Sequence, residues 1–82
     1  MFVVKWSPSA MNDFATLTVL HPNRWKDINA ADNDIDHKLR TDPMHYGHHL
    51  SEGLWCIISV PLAVYYSIDG NVINVTSCAW VE

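Results

Sequence analysis

Positive charge is scarce in this chain. Its 82 residues include five lysines and arginines against nine aspartates and glutamates, which gives a net charge of −4 with neutral histidines. Proteins that hold nucleic acid generally present clustered cations, because contacts to phosphate dominate their affinity. Any role on nucleic acid would therefore have to overcome this balance of charge.

Long apolar runs and cysteines are also few. No apolar stretch approaches the ~20 residues of a membrane span, and the N-terminus, with one early lysine and alternating polarity, is not typical of a signal peptide. We therefore expect no membrane association and a cytoplasmic location. The two cysteines, Cys56 and Cys78, fall in predicted strands, where buried free thiols are expected rather than a disulfide or a redox site.

Apolar residues are plentiful and make up 49% of the chain, with four tryptophans among them. This content excludes a disordered chain. The length predicts one domain over residues 1–82, which buries roughly 60–65% of its unfolded surface. Most of the tryptophans are expected in its core, because large aromatic side chains dominate burial in small domains.

The last third of the chain predicts a three-stranded meander. Leu54–Val60 is an almost unbroken apolar run, Leu62–Ile68 follows Pro61, and Val72–Val81 returns after Asp69-Gly70-Asn71. A turn at Gly70-Asn71 is preferred over one at Asp69-Gly70, because it places apolar residues opposite each other across the strands. One face is then expected to carry Leu62, Val64, Tyr66, Ile68, Ile73 and Val75, and the other Ala63, Tyr65, Ser67, Asn74, Thr76 and Cys78.

The first half predicts one strand and two helices. Phe2–Trp6 alternates as a strand, and Ser7-Pro8 begins a helix to about Leu20. A second helix runs from Arg24 to about Arg40. The predicted apolar faces are Met11, Phe14 and Leu17, flanked by Ala10 and Leu20, in the first helix, and Trp25, Ile28, Ala31, Ile35 and Leu39 in the second.

Residues 43–53 contain three histidines and are expected to form a long loop. The predicted fold is therefore an α+β domain of order β-α-α-β-β-β. In this fold a helical hairpin packs on one face of a small, largely antiparallel sheet.

Three stretches carry a resemblance to a known family. They are Val4–Ala10 at the first strand and helix start, Ile35–Pro43 with its basic residue and Asp-Pro ending, and Gly53–Asp69 at the central hairpin. In this order and spacing the chain resembles the RelE/ParE superfamily, the toxins of bacterial type II toxin–antitoxin modules, which also serve in plasmid stabilisation. The resemblance implies an antitoxin partner and a toxin that cleaves messenger RNA at the ribosome or poisons gyrase.

The chain departs from this pattern at the residues that would carry catalysis. The resemblance implies that members that cleave RNA carry several lysines and arginines on the strands and the second helix, with a Tyr or His near the C-terminus. These groups stabilise phosphorane-like charge and move protons. Here the strand positions read Trp55, Cys56 and Ala63, and the tail from Cys78 to Glu82 has no cation. Ribonuclease activity is therefore not expected. Gyrase poisoning does not depend on acid–base residues, so their absence does not count against it.

The candidate site residues follow from these considerations. Lys38, Arg40 and Tyr65 are the catalytic candidates for an active messenger-RNA ribonuclease. The loop histidines are too weak a pattern to predict a metal, and no cofactor is expected. A non-toxic, homodimeric binding module is the third alternative. The candidate partner-binding residues are Trp55, Tyr65, Trp80, His45, His48 and His49.

Overall fold

The computed structural model describes all 82 residues, and it has five strands and three helices. Strands β1–β5 span Val3–Trp6, His48–Ser51, Leu54–Ser59, Leu62–Asp69 and Val72–Trp80. Helices α1–α3 span Pro8–Leu20, Trp25–Thr41 and Pro43–Tyr46, with a 3-10 turn at Pro22–Arg24. None of the helices is long and apolar enough to cross a membrane.

The strands form one sheet in the order β1-β5-β4-β3-β2. All neighbours are antiparallel except β1, which runs parallel to β5 at one edge. The predicted α+β class is therefore confirmed. The preferred hairpin register is also confirmed, because Ile68 lies opposite Ile73 and Tyr66 opposite Val75. Gly70 has φ of +61°, which suits the turn between the two strands.

A β-bulge in β5 changes which residues face the helices. Tyr66 pairs with Val75 but Tyr65 pairs with Ser77, so Thr76 is an extra residue in β5. The predicted outward position of Cys78 is therefore wrong. Beyond the bulge the alternation is displaced by one residue, and Cys78 lies opposite Val64 in the core. Cys56 and Cys78 are both buried and free, as expected.

Three hydrogen bonds made by side chains surround the bulge. The Ser7 hydroxyl donates to the Thr76 carbonyl at 3.4 Å, and the Thr76 hydroxyl donates to the Tyr65 carbonyl at 3.2 Å. The Asp13 carboxylate accepts a hydrogen bond from the Cys78 backbone N–H at 3.1 Å. These bonds satisfy backbone groups near the irregularity that would otherwise lack partners.

Both long helices pack on the same face of the sheet, α1 over β5 and β1, and α2 over β3, β4 and β1. Ser7 caps α1 by accepting from the Ala10 N–H at 3.0 Å. Two parts of the predicted apolar faces are wrong. Met11 and Leu20 are exposed, because α1 buries Ala10 instead, and Trp25 is 57% exposed, because the buried stripe of α2 begins at Ile28.

The core consists of residues from this helix-covered face and from α1 and α2. Its buried members are Ala10, Ile28, Ala31, Ile35, Leu39, Ile57, Leu62, Val64, Tyr66, Ile73, Val75 and Cys78. Among the tryptophans, Trp6, Trp55 and Trp80 pack against this cluster and are only partly buried.

The expected loop over residues 43–53 is wrong, because the segment forms α3 and strand β2. Asp42 caps α3 by accepting from the His45 N–H at 3.2 Å. The Tyr66 hydroxyl donates to the Pro43 carbonyl at 2.7 Å, which ties α3 to the core. β2 then pairs with β3 as the last strand of the sheet, with every residue exposed.

Candidate partner-binding face

The helices leave the second face of the sheet without a helical cover. We call this surface the open face. Its members follow from strand alternation and register, and they are Val3, Lys5, His48, Leu54, Cys56, Ile58, Ala63, Tyr65, Ser67, Asp69, Val72, Asn74, Ser77 and Ala79.

Tyr65 lies in the middle of the open face, between Cys56 on β3 and Ser77 on β5. Its side chain is half-buried, while Ile58, one strand away, is 49% exposed. Burial raises the pKa of the Cys56 thiol, and a hydrogen bond with Tyr65 partly offsets this effect. Cys56 is therefore a neutral thiol near neutral pH and is not poised as a nucleophile.

The open face carries one cation. Lys5 lies at its edge on β1, opposite Asn74, and no arginine lies on any strand. The small side chains of Cys56 and Ala63 are buried at its centre although no helix covers them. The surface is therefore shallow, largely uncharged and partly apolar, and the structure shows no pocket on it.

The other catalytic candidates, Lys38 and Arg40, lie on α2 and not on the open face. The Lys38 ammonium lies 2.9 Å from an Asp34 carboxylate oxygen, and the Arg40 guanidinium lies 2.9 Å from an Asp36 oxygen. The bond from Lys38 lowers the pKa of Asp34. Because α2 packs against the face opposite Tyr65, the structure does not bring the three candidates together.

The three candidate histidines lie in different surroundings. His48 pairs with Cys56 and lies on the open face, whereas His49 pairs with Trp55 and its ring is 5.0 Å from the indole. His45 is in α3, beside the Tyr46 ring at 5.1 Å. No group of three His, Cys, Asp or Glu side chains lies close enough together to hold a metal ion.

Trp55 lies on the helix-covered side of the sheet. It is opposite Tyr66 in the register, and the two rings stack with centroids 6.4 Å apart. The indole therefore packs mainly against the protein's own core, although it stays partly exposed at the β2 edge.

Trp80 takes part in a cluster that the sequence patterns did not indicate. Its ring stacks on His21 with centroids 3.6 Å apart and 6° between planes, and the Arg24 guanidinium lies 5.4 Å from its centroid. Arg24 also makes two bonds to the Glu82 carboxylate, at 2.5 and 2.6 Å, which lower the pKa of Glu82. These contacts connect the end of β5 to the segment between α1 and α2.

Comparison with known proteins gives structural relatives only. No protein-family model matches the chain, and no curated protein is detectably similar to it in sequence. Among solved structures, a chain of the toxin–antitoxin complex RelBE2 from Mycobacterium tuberculosis superposes with a TM-score of 0.78 at 18% identity, over 96% of both chains.

Two further structures give the same result. A chain of the chromosomal ParDE toxin–antitoxin system of P. aeruginosa has a TM-score of 0.79 at 16% identity, over 100% of this chain and 98% of that one. The YoeB dimer of Staphylococcus aureus gives a TM-score of 0.58 at 23% identity, over 96% of this chain and 95% of that one. The chain therefore has a RelE/ParE-like fold over nearly its full length.

Proposed function

We propose that this chain is the toxin-like component of a type II toxin–antitoxin module and that it acts through protein contacts rather than RNA cleavage. The fold supports the first part, because the similar structures include RelBE2 and ParDE, both described as toxin–antitoxin systems. The second part rests on one observation, which is the near absence of positive charge on the open face. An antitoxin, and gyrase or the ribosome as target, are the partners we propose.

The electrostatic argument concerns the transition state of RNA cleavage. Attack of a ribose hydroxyl on phosphate builds negative charge that preorganised cations must stabilise. On the open face only Lys5 could do so, at the edge of the sheet, while Lys38 and Arg40 are bound to carboxylates of their own helix. Tyr65 has no cation among its cross-strand neighbours, Cys56 and Ser77.

The open face is suited to a protein partner. It presents Ile58 and Tyr65 beside small side chains, and a shallow apolar centre with a polar rim is the usual form of a protein–protein contact. We further propose that the chain acts in the bacterial cytoplasm as one domain. No metal or cofactor enters the proposed function.

Induced expression in a bacterial host tests this proposal. Growth arrest with intact messages is the expected result, with broken DNA if gyrase is the target. A double variant of the open face, Ile58→Asp with Tyr65→Ala, should abolish the arrest. The matched control is Lys38→Ala with Arg40→Ala on α2, which should remain toxic.

Two other outcomes would favour the alternatives. Cleaved messages, lost in the Lys38→Ala and Arg40→Ala control, would favour a ribonuclease that uses Lys38, Arg40, Tyr65 and the histidines. Complete absence of arrest would favour a non-toxic homodimeric binding module, an alternative consistent with the dimeric state named for the YoeB structure.

A further inference from the structure

The two edges of the sheet are covered to different degrees. At the β1 edge, the Phe2 N–H donates to the Arg40 carbonyl at 3.0 Å, so the end of α2 occupies part of that edge. At the opposite edge, β2 is paired only with β3, and no other backbone hydrogen bond involves His48–Ser51. The backbone N–H and C=O groups on the outer side of β2 therefore have no backbone partner in the protein. We call this outer side of His48–Ser51 the outer β2 edge.

The outer β2 edge lacks most of the features that protect exposed strand edges. All four of its residues are exposed, and none of them is a lysine, a proline or an acidic residue. A bulge between His49 and Ser51 is the irregularity in its pairing, and Leu50 at that bulge is 53% exposed. The edge is therefore free to pair with a further strand.

Exposed apolar side chains lie next to the outer β2 edge. Met44 is 58% and Tyr46 is 43% exposed on α3, which contacts β2, and Trp55 on the neighbouring strand is only partly buried. Strand alternation directs His49 to the same side of the sheet as Trp55, and it directs His48 to the open face. A strand added at this edge would therefore place alternate side chains beside the indole and beside the open face.

The charge around this edge favours a basic partner. Residues 42–52 include Asp42 at the start of α3 and Glu52 directly after β2, but no lysine or arginine. Neither carboxylate is in an ion pair with another side chain. A partner segment with lysine or arginine at its ends is therefore attracted to this region, whereas an acidic segment is repelled.

An extended segment of another protein fits the outer β2 edge better than a helix or a second copy of this chain does. A helix uses its backbone groups in its own hydrogen bonds, so it cannot pair with the edge. A second copy paired antiparallel through β2 would bring its own bulge, so the ladder would be irregular in both strands. It would also bring a second unpaired Asp42 and Glu52 to the same region.

We propose that the outer β2 edge binds an extended segment of a partner protein, which pairs with β2 as an added outermost strand. The segment has alternating apolar side chains and a lysine or arginine at each end. Backbone hydrogen bonds hold it, and its side chains provide the specificity. The edge is only four residues long, so a short detached segment binds weakly. The inference does not depend on toxicity, because it concerns pairing at the edge of the sheet.

An NMR titration of the isotope-labelled chain with a synthetic peptide tests the proposal. The peptide alternates valine with threonine between two terminal lysines and has blocked ends. Amide shifts should change at residues 44–52 and along β3, with an affinity in the millimolar range. The matched control is the same peptide with every interior amide N-methylated, which cannot donate to the edge and should cause no shifts. A second control replaces the lysines with glutamates and should bind more weakly.

A charge variant locates the contact on the chain. Leu50→Lys places a cation on the edge and should weaken binding of the lysine peptide at least about fivefold. The control Val19→Lys adds the same charge at a 77% exposed position of α1 and should leave binding unchanged.

Four results would overturn the proposal. They are the absence of shifts at the outer β2 edge, shifts confined to other surfaces, equally tight binding of the N-methylated peptide, and equally tight binding of the glutamate peptide. Self-association of the free chain through β2, seen as concentration-dependent shifts at residues 48–51, would also overturn it, because a second copy would then be the occupant.

Discussion

Neighbouring residues of the same type lie in opposite surroundings on the two faces of the sheet. Ile57 is 1% exposed under the helices, whereas Ile58 is 49% exposed on the open face. On the next strand, Tyr66 is fully buried and its hydroxyl is bonded to Pro43, whereas Tyr65 is half-buried without a helix above it. The comparison shows that the large side chains of the covered face are packed in the core, whereas those of the open face remain partly in water.

The largest expected effect separates the two isoleucines. Ile57→Ala should lower the free energy of unfolding by about 2–5 kcal/mol, because it leaves a cavity among closely packed core residues. Ile58→Ala should lower it by about 1 kcal/mol or less, because half of its side chain is already in water. Urea denaturation of both variants measures the difference, and equal losses would contradict the division between the faces.

The second effect tests how closely α3 approaches the covered face. A Cβ added at Gly47 would lie 1.7 Å from the Tyr66 hydroxyl oxygen and 2.8 Å from the Pro43 carbonyl oxygen. Gly47→Ala should therefore destabilise the fold by about 1–3 kcal/mol.

A double variant provides the control for this contact. Gly47→Ala combined with Tyr66→Phe should lose less stability than the two single changes added together, because the phenylalanine removes the nearest clashing atom. Strict additivity in thermal or urea unfolding would show that the hydroxyl is not the obstacle.

The third effect is a dependence of stability on pH that comes from Tyr66 on the covered face. Burial raises the pKa of Tyr66 from 10.0 to about 12. Its stabilising effect is present below pH 10 and is lost as the pH rises toward 12, because the unfolded chain releases the phenolic proton first. The loss should reach about 2 kcal/mol. Unfolding measured from pH 9 to 12 should show a smaller decline in Tyr66→Phe than in the wild type.

The smallest effect compares the two hydroxyl groups near neutral pH. Tyr66→Phe should cost about 1 kcal/mol, because a buried hydrogen bond to Pro43 is lost while the Gly47 N–H still donates to the same carbonyl. Tyr65→Phe should change stability by less than about 0.5 kcal/mol. If Tyr65→Phe were the more costly change, the open face would be part of the packed structure.

Much of the fold could be predicted because the decisive residues form local patterns. Apolar matching across Asp69-Gly70-Asn71 was enough to define the hairpin register, and the spacing of Ile28, Ile35 and Leu39 was enough to place α2. The order of the elements other than α3 and β2 followed from these patterns.

The segment His48–Ser51 could not be recognised as a strand, since it has no apolar alternation. All four residues are exposed, and the segment is a strand only because β3 offers an unpaired edge. The prediction that Cys78 faces outward was wrong for a related reason. It assumed strict alternation along β5, and the sequence gives no sign of the extra residue at Thr76.

The candidate site was less predictable than the fold. Sequence spacing places Tyr65 on a face, but it does not show that Lys38 and Arg40 bind Asp34 and Asp36 on the opposite side of the sheet. The contact of Arg24 with Glu82 joins residues 58 positions apart, and no local pattern could indicate it.

The extra residue at Thr76 also makes β5 unequal in its response to changes of length. Deleting Thr76 would restore simple alternation and leave Cys78 and Trp80 directed toward the helices. Inserting one more residue there would keep both directed toward the helices only by displacing the end of β5 two positions along β4, which would separate Trp80 from His21. At this point the strand can therefore be shortened with less damage than it can be lengthened.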